Sequence, residues 1–129
     1  MQKLTFESSW EKALSVKDRN RIEQVFSETI IPKNTPAHFT LLWQALNYKK
    51  ELLVTALVHN SSLQIFSFHH TGLKYIEYGK TVAEYSFTLP TLIIKPNTSM
   101  PWTFIFPTDG LYEGIKFTNG NLVIADSVI

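Results

Sequence analysis

The chain contains no cysteine. That excludes disulfides, thiol catalysis and thiolate metal sites, and it fits a reducing compartment. Aspartate is also scarce, and paired-carboxylate chemistry has no motif here. The only aspartates are Asp18, Asp109 and Asp126, and the sequence holds neither a Gly-x-Ser-x-Gly elbow nor a glycine-rich phosphate loop. Its five glycines are dispersed at turn positions. A charge of one sign is missing too: twelve Lys and Arg offset eleven Asp and Glu, for a net charge of +1. Nothing here forms the electrostatic footprint of a nucleic-acid or anionic-membrane binder. The apolar runs fall far below the roughly 20 residues of a membrane helix. Residues 1–6 lack the apolar stretch of a secretory signal. The expectation is a cytoplasmic protein with no cofactor, no nucleic-acid partner, no membrane insertion and no enzymatic activity.

What remains is ordinary globular material of single-domain size. The 129 residues are 44% apolar and 13% aromatic, with nine Phe and five Tyr. The charged share is 18%, low for a soluble domain. A weakly charged, aromatic-rich surface suits a protein that docks to another.

Helical signals come first. Ser8 with Glu11 three residues later is a capping-box pattern and predicts a short helix through Leu14. Ser15 with Asp18 repeats the signal. Ile22, Val25, Phe26 and Thr29 then recur at helical spacing, which predicts a helix over residues 16–28. Pro32 pushes the residue before it out of the helical region. Beyond the proline linker the period changes to two. Strands are expected over residues 38–46, 51–59, 63–69, 73–78, 81–89, 91–94, 100–106, 111–118 and 121–129, with turns every eight to twelve residues. Phe39, Leu41, Trp43 and Ala45 are expected on one face of the first. This pattern predicts one domain over residues 1–129: a helical segment, 1–31, followed by an immunoglobulin-like antiparallel β-sandwich, 37–129. Phe87 and Phe104 are expected in its core. The last strand, apolar at Leu122, Ile124 and Val128, offers an edge for pairing with a second copy.

Three stretches carry a family resemblance: LTFESSWEKALSVKDRNRIEQVFSE from Leu4, QALNYKKELLVTALVHN from Gln44, and AEYSFTLPTLIIKPNTSMPWTFIFP from Ala83. Together they resemble the SLAP domain, named for the S-layer assembly protein of Bacillus relatives, over residues 4–107. The resemblance implies a helical motif ahead of a β-rich body. It also implies a role in S-layer protein export beside an accessory SecA-type motor, with a protein partner drawn from the secretion machinery or the S-layer itself. The family's namesake carries the domain twice; this chain holds one copy.

Other constellations read blandly. His59, His69 and His70 are the one possible metal cluster, with Glu77 or Glu84 as a carboxylate. Adjacent histidines in a regular strand point to opposite faces, so no metal site is expected. Ser61, Ser62, Ser67, His59 and Asp109 supply the letters of a catalytic triad without its motif. Most aromatics at period two belong to a sandwich core. Trp10 stands apart, because it opens a helix ahead of the strands. Ile22 and Phe26 are expected to pack on the β body, with Trp10 and Leu14 nearer the surface as partner-docking residues. The alternative is a ligand- or carbohydrate-binding module with exposed Trp and Tyr.

Overall fold

The computed structural model describes residues 1–112 and 114–125. Helix α2 (Val16–Glu28) begins as the sequence predicts, with the Ser15 side chain accepting from the Asp18 amide. The shorter helix α1 (Ser8–Ala13) does not use Ser8 as its cap. Glu7 takes that place, and its carboxylate accepts from the Ser9 amide at 2.9 Å. The Ser9 hydroxyl, which donates to the same carboxylate, and then the amide hold the Glu7 carboxyl below its ordinary range.

The strands are β1 (Lys3–Leu4), β2 (His38–Leu46), β3 (Leu52–Asn60), β4 (Phe66–Glu77), β5 (Lys80–Ile94), β6 (Thr98–Phe106) and β7 (Gly120–Ile124). They form a sheet in the order β1-β6-β3-β2 and a second in the order β5-β4-β7. Pairing is antiparallel throughout, except that β1 runs parallel to β6. β2, β3 and β6 take the places of strands A, B and E of an immunoglobulin domain. β5, β4 and β7 take those of C′, C and F. The sandwich is therefore immunoglobulin-like, with β1 filling the place beside E.

Between the sheets lies a core of Phe39, Phe68, Phe87, Phe104, Phe106 and Tyr75, with aliphatic residues from β3. Alternation along β3 explains it. Val54, Ala56 and Val58 face this core, while Leu57 faces the other way and meets Ile22 of α2 and Leu42. The helical segment is thus a third layer on the outer face of the first sheet.

Several strand predictions need correction. A register shift between Leu41 and Trp43 breaks the alternation of β2. Leu41 packs on the core, but Trp43 joins the helical layer. The segments 63–69 and 73–78 are one strand, β4. Segments 81–89 and 91–94 are one strand, β5, and Pro90 lies where its register jumps from Leu89 to Ile93. The described residues of segment 111–118 form no strand: a 3-10 turn (Thr108–Gly110) precedes an isolated bridge from Leu111 to Ala83. The final strand spans five residues and pairs with β4; residues 126–129 of the expected dimer edge lie outside the described residues. Phe104 and Phe87 are buried as expected, 1% and 5% exposed.

Candidate docking cleft

The helical layer leaves an opening between α1, the start of α2 and β2. It is a cleft of about 430 Å³ lined by Ser9, Trp10, Ala13, Leu14, Asp18 and Trp43. Each wall has a local cause. Trp10 and Leu14 lie four residues apart, so they share one face of the α1 turn. Both are half-buried against the Ile22–Leu42–Leu57 cluster. Trp43 arrives there because of the bulge in β2. Arg19 braces the layer, pairing with Glu11 of α1 and lying 4.6 Å over the Phe6 ring. An exposed pair of this kind contributes under about 1 kcal/mol, so it orients α1 more than it holds it. The structure thus brings Trp10 and Leu14 together and adds Trp43, which periodicity alone assigns to the core.

The polar candidates do not converge. His59 is fully buried on the outer face of the first sheet. Its Nδ1 lies 2.6 Å from Ser99 Oγ and its Nε2 2.8 Å from Thr40 Oγ1. Gln2 Nε2 also donates to Ser99 Oγ at 3.1 Å, and the ring tautomer decides which of the two hydroxyls receives the imidazole N–H. Burial, and then His38 nearby, push the His59 pKa down to about 4. The Ser99–His59 pair has the contact distance of a nucleophile and base. Both residues are closed to solvent, and the far nitrogen faces a hydroxyl rather than an orienting carboxylate. Ser61 donates to the Pro32 carbonyl and Ser62 to Asn60, while Asp109 sits exposed in the 3-10 turn.

His69 and His70 belong to the other sheet, away from His59. The expectation that they point to opposite faces is wrong. Phe68 pairs with Leu89 and Thr71 with Phe87, so three steps along β4 match two along β5. His70 takes a φ of 50°, and the two exposed rings meet at 4.5 Å. Glu77 is buried and acts as a loop anchor, accepting from Tyr75 Oη at 2.9 Å and from the Lys116 amide at 2.7 Å. Burial first, and then Glu77, push the Tyr75 phenol up. Gly120 passes so close to the Tyr75 hydroxyl that a Cβ there would clash with it.

The family model of the SLAP domain matches residues 4–124. The chain belongs to the SLAP domain family. The match reaches past residue 107, so the loop anchored by Glu77 and strand β7 are parts of the SLAP domain. No curated protein and no solved structure matches this SLAP domain. No helix in the described residues is long and apolar enough to cross a membrane.

Proposed function

We propose that this SLAP domain is a non-catalytic protein-interaction module of the cytoplasm, accessory to surface-layer protein export or assembly in a Gram-positive bacterium. The cleft of Trp10, Leu14 and Trp43 carries the proposal. It is a mainly apolar recess with two indole rings, on a layer whose apolar cluster is separate from the inter-sheet core. Aromatic anchors in a recess are the usual centre of a protein interface. Membership in the SLAP family supports the export setting, and the partner is the SecA-type motor or the S-layer precursor. Burial of the Ser99–His59 pair supports a role without catalysis. The carbohydrate reading gains less support, because the exposed rings Tyr48, Tyr78, Tyr85 and Tyr112 sit on separate elements.

Ala13 is exposed and lines the cleft, so Ala13→Arg fills the recess without touching the core. The test immobilises the chain and passes over it a purified S-layer precursor and a purified accessory SecA-type motor. One of them should be retained by the parent chain, and at least about tenfold more weakly by Ala13→Arg, with an unchanged melting temperature. If neither is retained at micromolar concentration, the reading fails. Equal retention by both chains removes the cleft from it.

A further inference from the structure

Strand β6 keeps most of one edge open. β1 covers only its beginning, where the Lys3 amide donates to Asn97 O and the Thr5 amide to Ser99 O, both at 2.9 Å. Within a strand, the N–H and C=O of one residue point to one side and those of the next residue to the other. Ser99 therefore faces this edge. In the unbroken register that β6 keeps with β3, so do Pro101, Thr103 and Ile105. Pro101 explains why β1 stops. The next ladder bond would need its N–H, which proline lacks. Beyond it the ladder resumes, since Thr103 and Ile105 each present a donor and an acceptor. Among the described residues no strand pairs with them on that side.

Across the sandwich the facing edge belongs to β5. The loop after β6 covers its start: the Tyr112 amide donates to Val82 O at 2.8 Å. Gly110 lies so near Glu84 O that a Cβ would come within 2.6 Å of it. That cover ends at Glu84. Between the two edges lies a cavity of about 670 Å³ walled by Phe87, Leu89, Trp102 and Phe104, with His70 also in its lining and no Asp, Glu, Lys or Arg.

We propose that this edge receives an extended, uncharged segment of a partner protein, which adds to β6 as a strand and continues the line of β1 past Pro101. The surface is separate from the helical cleft and goes beyond the function proposed for it. Main-chain pairing with Thr103 and Ile105 gives the affinity, and the cavity gives the selectivity. Side chains of an added strand alternate between faces, so every second one enters the cavity. Its walls, mainly aromatic and aliphatic and without a carboxylate, lysine or arginine, accept an apolar group there and penalise a charged one. The β1–β6 pairing already establishes this mode on the same edge. A second copy is a poor occupant. Its own inward residues on β6, Phe104 and Phe106, are buried in its core and leave the cavity unfilled.

The probe is an end-capped heptapeptide of alternating valine and threonine, titrated into the full isotope-labelled chain. It should shift the Thr103 and Ile105 amide resonances. The same peptide with aspartate for valine, or with alternate amides N-methylated, should not. Ile105→Pro removes one edge donor that the sheet does not use. It should weaken binding at least about fivefold, the loss of one hydrogen bond, at an unchanged melting temperature. Ala13→Arg should bind the peptide as the parent does. Resonances that stay still at millimolar peptide, or equal binding of the N-methylated peptide, would overturn the proposal. So would loss of binding in Ala13→Arg, which would place the peptide in the helical cleft. A solution dimer dissolved by Ile105→Pro would assign the edge to a second copy and also overturn it.

Discussion

Phe104→Ala should unfold in urea with about 3–5 kcal/mol less stability than the parent chain, the usual cost of emptying a buried phenylalanine site. Phe104 lies at the meeting point of the two sheets. Its ring is 5.5 Å from Phe68, 5.5 Å from Phe87 and 5.9 Å from Phe39, with tilted or edge-on contacts throughout. Three rigid rings from three other strands cannot collapse into the gap, so the cavity persists and its cost is near the full value. A domain of this size has only about 5–15 kcal/mol to lose. Tyr85→Ala makes the contrast, because its ring is 44% exposed at the mouth of the inter-sheet cavity. A loss below about 1 kcal/mol for Phe104→Ala would show that the inter-sheet core is not packed as described.

Acid should act mainly through His59, with a loss approaching 3 kcal/mol, roughly 1.4 kcal/mol for each pH unit separating its folded and unfolded pKa values. In the unfolded chain the ring takes up a proton near its ordinary value of 6.5; in the folded chain it resists until about 4. The neutral ring's contribution is therefore fully present above pH 6.5, is lost as pH falls toward 4, and changes little below that. The hydrogen bonds give the structural reason. A second proton makes both ring nitrogens donors, so whichever of the Ser99 and Thr40 hydroxyls donates to the neutral ring must turn away, and His38 of β2, its ring centre 6.0 Å away, opposes the charge. Urea midpoints from pH 7.5 to 4 for the parent and for His59→Gln give the comparison. All other groups are common to both chains, so the parent should fall more steeply. Parallel curves would remove His59 from the acid response.

Elements with a local chemical signal were legible in the sequence. Ser15 caps α2 through a hydrogen bond that spacing predicts, and alternation around Phe87 and Phe104 places both rings inside. What escaped was set by pairing across the chain. β1 is two residues long and has no period to detect; it exists because β6 has an edge to offer. Gly72 and Pro90 resemble strand ends, yet β4 and β5 run through them. At Gly72 the opposing Ala125 Cβ would stand 3.2 Å from an added methyl, a closeness only the folded sheet reveals. For the cleft, Trp10 and Leu14 stood out by position, ahead of every strand that periodicity predicts. Trp43 did not, since a bulge turns it to the other face and bulges leave no mark in a period-two pattern.

The β1–β6 pairing also sets an order of events during synthesis. Gln2 and Ser99, joined by a hydrogen bond, lie 97 positions apart in the chain. The helical segment leaves the ribosome before the strands it packs on, since the surface it covers is made by β2 and β3, and the strand that clamps its start waits for β6. Helices of this length are marginal alone. Until four-fifths of the chain has emerged, the first thirty residues hold their apolar stripe without a fixed seat. That interval is when a chaperone or motor has its freest access to them.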